Sequence, residues 1–171
     1  MALAVARHLG PAAREIRVGD CKFDVIAYDK KQRLFELVEC KRGSHTTTIG
    51  HAFGQVAAYR AVLTDRGLEF VDAVSKKLSL RYIRWMEATE KNRRIRVAFY
   101  VALTDKACKR VDFIRSVKRL HPFVGIIRVK PDDKCRRYIR INGVKDYDLA
   151  KARPATIHIL YGKRTSSSAK Q

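Results

Sequence analysis

Apolar residues recur along this chain with two periods, one of two residues and one near four. Phe23-Asp24-Val25-Ile26-Ala27-Tyr28 and Phe35-Glu36-Leu37-Val38-Glu39-Cys40-Lys41 are short runs rich in aliphatic and aromatic side chains, which read as strands. The polar stretch Asp29-Lys30-Lys31-Gln32-Arg33 separates them and reads as the turn of a hairpin. Further on the spacing becomes helical over residues 49–63, where Ile49, Phe53, Val56 and Leu63 form one stripe. His51, Gln55 and Tyr59, each four apart, lie together on its flank. The polar loop before this helix, Gly43-Ser44-His45-Thr46-Thr47-Thr48, offers hydroxyls for capping it.

The remaining pattern is coarser. Residues 2–9 predict a short helix ended by Gly10-Pro11, and residues 13–18 a first strand followed by a turn at Gly19-Asp20. Asp65-Arg66-Gly67 stops the helix over 49–63. A longer helix follows over 69–90, with Val71, Val74, Leu78, Tyr82 and Trp85 as its seam. The run over 95–103 is apolar on both faces and predicts a central strand. Residues 105–120 are amphipathic: Val111, Ile114, Val117 and Leu120 face inward, and Lys106, Lys109, Arg110, Arg115, Lys118 and Arg119 face out. Residues 124–129 and 136–141 read as a second hairpin around Pro131-Asp132-Asp133, and residues 156–161 as a last strand. Residues 162–171 are polar and predict a disordered tail, leaving one domain over 1–161. Strands, a helix, then strand, helix and strands predict an α/β fold with a mixed central sheet flanked by helices.

Alternation along the hairpin brings charges together. Glu39 and Lys41 share a face, while Val38 and Cys40 point the other way. If Lys31-Gln32 is the loop centre, Asp24 lies opposite Glu39; if Lys30-Lys31 is, Asp24 lies diagonal to Glu39 on the same face. Glu36 faces away. Two carboxylates and one ammonium beside apolar strands need a partner, because burying an unpaired carboxylate is costly. A divalent cation is one such partner. On their own the three residues also fit an exposed ion-pair cluster, worth ~1 kcal/mol or less per pair.

Asp24, a hairpin and then Glu39-Cys40-Lys41 resemble the PD-(D/E)xK nuclease superfamily, and Gln55-Val56-Ala57-Ala58-Tyr59 resembles the Gln-x-x-x-Tyr element that follows this core in several of its families. Phe23 stands where the motif's name has proline. The resemblance implies a restriction-endonuclease-like fold and a metal-dependent DNA endonuclease. It implies Mg²⁺ (or Mn²⁺) held by Asp24, Glu39 and the Cys40 backbone carbonyl, with Glu15 on the preceding strand as a further candidate ligand. Mg²⁺ prefers oxygen ligands and is usually held by one or two carboxylates. Lys41 would stabilise the transition state or orient the attacking water. Gln55 and Tyr59 would contact the phosphate or steady Lys41. The Cys40 thiol takes no part.

Composition supports a polyanionic partner. Lysine plus arginine number 37 against 17 acidic residues, a formal charge of +20. Such a field attracts nucleic acid. Lys22, Arg42, Arg60, Arg93 and Arg94 are candidate phosphate contacts. His45 and His51 lie near the expected site, where a surface or capping role competes with metal binding. The four cysteines form no C-x-x-C pair, which argues against a zinc knuckle. No apolar run approaches the ~18 residues of a membrane span, and the expectation is a cytoplasmic protein with reduced thiols. The expected partner is duplex or branched DNA, and cutting both of its strands suggests a homodimer. The alternative is a catalytically inactive or non-enzymatic basic nucleic-acid-binding protein.

Overall fold

The strand pattern resolves into one large sheet whose two faces are both covered. The computed structural model describes residues 1–29, 31–78 and 94–158. Helix α1 (Ala2–Leu9) leads into β1 (Ala12–Val18), β2 (Cys21–Asp29) and β3 (Leu34–Lys41). Helices α2 (Thr46–Asp65) and α3 (Gly67–Ser75) follow, separated at Arg66. Then come β4 (Arg94–Thr104), α4 (Asp105–Cys108), α5 (Val111–Leu120) and β5 (Val124–Val129). The described chain ends with β6 (Cys135–Arg136), β7 (Ile139–Ile141), β8 (Val144–Asp146) and β9 (Ala155–His158).

The main sheet runs β1-β2-β3-β4-β5-β6, with β9 added beside the beginning of β4. The β1–β2 and β2–β3 pairs are antiparallel; β4 lies parallel to β3, and β5 parallel to β4. The fold is therefore mixed α/β, a mixed sheet flanked by helices. β4 is apolar on both faces because each packs against a different layer. Val97, Phe99, Val101 and Leu103 join a core built with Ile49, Phe53, Val56 and Leu63 of α2. Ala98, Tyr100 and Ala102 join a smaller core under Ala4, Val5 and Ala6 of α1. No helix among the described residues is long and apolar enough to cross a membrane.

Several expected elements change shape. α2 begins earlier than expected, with the threonines inside its first turn and His45 at the N-cap position. Gly43 lies so close to that turn that a Cβ there would sit 2.9 Å from Thr48. The helix expected over 69–90 is seen as α3, which ends at Ser75 with a turn over 76–78; the rest, including Tyr82 and Trp85, lies outside the described residues. So do the end of the strand expected over 156–161 and the whole tail over 162–171. The helix over 105–120 breaks into α4 and α5, and the Thr104 hydroxyl caps α4 by accepting the Ala107 N–H at 3.2 Å. Leu120 is exposed rather than buried. Lys118 turns inward, donating to the carbonyls of Val124 and Lys151, and burial lowers its pKa to about 8.

The second hairpin is also rearranged. β6 is only two residues long, because Arg137 leaves the ladder to meet Glu36 and Tyr100 on the α1 face. β7 pairs instead with β8 through Asn142-Gly143, whose φ values of 48° and 82° are both positive. That is the type I′ hairpin turn that Asn-Gly favours.

Candidate active site

The site is set by the register of the first hairpin. The Asp29 carboxylate accepts the N–H groups of Lys31 and Gln32 at 2.8 and 3.1 Å, which fixes the turn. The ladder pairs Asp29 with Leu34 and Val25 with Val38. This is the register centred on Lys31-Gln32, and Asp24 and Glu39 are its next pair. They do not complete the ladder. Glu15, beside Asp24 on β1, has a left-handed φ of 56°. Pairing of β1 with β2 skips Glu15 and Asp24 and resumes at Ile16 and Phe23. Across this kink the inward alternation shifts, so that Ala13 and Ile16 pack into one core, as do Phe23 and Ile26. Asp24 is turned toward β3, where its Oδ2 accepts the Cys40 N–H at 2.8 Å.

Glu39 is 3% exposed. Lys41 Nζ lies 2.6 Å from its Oε1, with the lysine side chain itself partly exposed. The Tyr59 hydroxyl donates to Glu39 Oε2 and lies 2.9 Å from the Lys22 carbonyl oxygen. Its single proton serves one acceptor at a time. Burial, then the bond to Glu39 and the nearby Asp24 charge, push the phenol's pKa well above its usual value, so the Tyr59 hydroxyl keeps its proton and can donate it to Glu39. Gln55 stands one turn earlier on α2 and is half-buried. Its buried Oε1 has no hydrogen-bond partner among the described residues. The Cys40 thiol packs toward the α1 core, and burial, with Asp24 and Glu39 adding to it, pushes it up to about 12. It is a neutral thiol and no nucleophile.

The structure brings Asp24, Glu39, Lys41 and Tyr59 together, with Gln55 a turn away from Tyr59. The burial of Glu39 excludes the reading as an exposed ion-pair cluster. Glu15 is directed elsewhere: its side chain is exposed and pairs with Lys22 at 3.0 Å, which holds its carboxyl below the usual range. Lys22 is thereby engaged as well. Among the described residues, no three His, Cys, Asp or Glu side chains are grouped to hold a metal. Any cation here would rest on two carboxylates, backbone oxygen and water. His45 and His51 are exposed. Arg42, also exposed, rims an open cavity of ≈ 330 Å³ beyond the ends of β3, β4 and β5, with Thr104, Asp105 and Lys130. The Arg60 guanidinium lies 5.6 Å from the Phe123 ring centroid, over the end of α5. Arg94 is not at the site. It opens β4 beside His158, seven residues before Val101, the β4 partner of Glu39, and thus roughly 23 Å along the strand. Arg93 lies outside the described residues. Glu36 does face away, held by Arg137 at 2.8 Å.

One residue near the site was not singled out by its spacing. Lys41 pairs with Leu103, and Leu103 with Arg128. Registered residues of parallel strands share a face, so Arg128 lies on the face of Lys41, two strand spacings or about 10 Å away. It is 7% exposed, and its Nε lies 3.2 Å from Asp105 Oδ1. Its signal was legible: a lone arginine inside the otherwise apolar run 124–129. Compared with protein-family models, curated proteins and solved structures, the chain gives no match.

Proposed function

We propose that this chain is a Mg²⁺-dependent deoxyribonuclease that hydrolyses phosphodiester bonds of duplex or branched DNA at Asp24, Glu39 and Lys41. The order of elements supports the reading: a helix, three antiparallel strands, a helix, then a strand parallel to the third, as expected of a restriction-endonuclease-like core. The observation that carries it is the buried Glu39, clamped between Lys41 and Tyr59 and one pair beyond the ladder from Asp24. A buried ion pair is seldom worth more than the apolar residues that would replace it. Stability alone gives little reason to keep this one.

The donor set fits a hard cation. Each Glu39 oxygen meets one protein donor and keeps lone-pair capacity; Asp24 has one oxygen engaged and one to offer. Two carboxylates plus the Cys40 carbonyl suit Mg²⁺ or Mn²⁺, which retain several waters. A bound Mg²⁺ supplies Lewis-acid stabilisation of the phosphate and an acidified water. The chain supplies the rest. The Cys40 N–H orients Asp24. Tyr59 orients Glu39 without taking its charge. Lys41, the partly exposed member, presents its ammonium to the charge that develops on phosphate. The Gln55 amide, one turn from Tyr59, carries a buried oxygen without a partner among the described residues, an acceptor that would suit the Lys41 ammonium. The formal charge of +20 draws the polyanion in. A two-fold dimer would give one such site per DNA strand.

The test is cleavage of circular and branched DNA with Mg²⁺ or Mn²⁺, against EDTA. Glu39→Ala and Lys41→Ala are each expected to lower the rate by about 10²-fold or more, while salt-sensitive binding persists. Cleavage that survives either change would show the site to be misassigned. Binding without metal-dependent cleavage in the unaltered protein would favour the non-enzymatic basic binder, for which the charge suffices.

A further inference from the structure

The β7–β8 ribbon stands apart from the main sheet and has two unlike faces. Ile139 and Ile141 pack into the α2-side core. The register pairs Arg140 with Lys145 and, one step on, brings Tyr138 beside Tyr147. Those rings lie 5.5 Å apart, tilted by 60°. The outer face is therefore tyrosine, arginine, lysine and tyrosine in one patch. Like charges directly opposed on a ribbon destabilise it; Arg140 steadies the turn through one N–H to the Gly143 carbonyl at 2.8 Å and keeps its other donors, while Lys145 opposite it adds only repulsion to the ladder. Both draw toward the Tyr138 ring, at 6.0 and 5.2 Å from its centroid, and Arg128 adds a third cation at 5.1 Å. Tyr147 is 57% exposed, one of the four large apolar side chains exposed among the described residues. An aromatic surface ringed by cations is built to receive flat, anionic units.

We propose that this ribbon is a nucleic-acid-binding arm, on which Tyr147 and Tyr138 stack an unpaired base while Arg140 and Lys145 hold the flanking phosphates. It rests on the nucleic-acid part of the function proposed above and deepens it by naming unpaired bases as the substrate feature engaged. Its position agrees. Arg128, beneath Tyr138, shares a row and a face with Lys41. A strand lying on the ribbon is thus led toward the acid pair, as a branched or locally melted DNA would require. Bases in single strands stack on aromatic rings at about 1–3 kcal/mol each, while paired bases offer no free face.

The experiment measures binding of the full chain to a fluorescein-labelled single-stranded oligonucleotide and to the same sequence as a duplex. It is run in EDTA, so that it reports independently of cleavage. Tyr147→Ala is expected to weaken single-strand binding about tenfold and duplex binding less than twofold. Tyr147→Trp is expected to restore it, which a lost hydroxyl or a damaged fold would not allow. The double variant Arg140→Ala/Lys145→Ala is expected to reduce the slope of log K against log salt by about 1.4 for single strands, at ~0.7 per phosphate contact. Unchanged single-strand affinity in Tyr147→Ala, an equal loss on duplex, or an unchanged salt slope each overturns the proposal. If the unaltered protein cuts no DNA, the nuclease reading fails and these binding outcomes still decide the ribbon.

Discussion

Tyr59 shows how one side chain serves both core and chemistry. Its ring packs 4.4 Å from that of Phe23, and its hydroxyl ties α2 to the mouth of the hairpin through two acceptors, the Lys22 carbonyl and Glu39. Tyr59→Phe keeps the ring and removes the donor. It should cost about 1–3 kcal/mol, the penalty for leaving a buried acceptor unsatisfied, read as a shift in denaturant midpoint. If the proposed function holds, Mg²⁺-dependent cleavage should fall roughly 10–100-fold, as for other groups that orient a metal's ligands. A variant with full stability and full cleavage would remove Tyr59 from the site. The spacing of Gln55 and Tyr59 to one helix flank was legible from periodicity. The register that sets Asp24 level with Glu39 was legible too. The kink beside Asp24 was not, because it depends on a left-handed Glu15, a conformation no strand pattern announces for a glutamate.

At the scale of elements, the β4–β5 pair depends on a glycine. Tyr100 lies opposite Gly125, and a Cβ on that glycine would come 2.5 Å from the Tyr100 ring and 2.7 Å from the Ala152 nitrogen. Neither neighbour is a loose side-chain end. Gly125→Ala is therefore expected to destabilise the protein by about 1–3 kcal/mol, the usual cost of overpacking, measurable by chemical denaturation. The first hairpin was legible because its turn chemistry is local: Asp29 bonds within its own loop. The second was misread for a non-local reason. Arg137 abandons the strand for Glu36, a residue 101 positions away. Asn142-Gly143 between Ile139-Arg140-Ile141 and Val144-Lys145-Asp146 was a readable turn, and the longer apolar pattern before it obscured it.

For the whole molecule, the sheet separates two polar clusters. One face carries Glu39, Lys41 and Arg128, with Asp24 bonded to the Cys40 N–H at the end of the hairpin. The other carries Glu36, bound twice by Arg137, with Arg137 also donating to the Tyr100 hydroxyl at 2.7 Å. The second cluster ties the region after β6 to the centre of the sheet. Glu36→Gln breaks the ion pair and should lower stability by about 3 kcal/mol, the low end for a buried pair because the guanidinium is partly solvated. If the proposed function holds, Mg²⁺ affinity by calorimetry should stay unchanged, since the sheet lies between the two clusters. A loss of Mg²⁺ affinity at full stability would instead tie Glu36 to the cation.

The Asp24–Cys40 bond bears on how such chains are to be recognised. By capping an amide that would otherwise be stranded at the hairpin's open end, the aspartate has an architectural duty that persists when catalysis is gone. A descendant that has lost its activity can therefore retain Asp24 for shape alone. Glu39 and Lys41, whose buried pairing gives the fold little that apolar residues would not, are the more telling marks of the proposed activity.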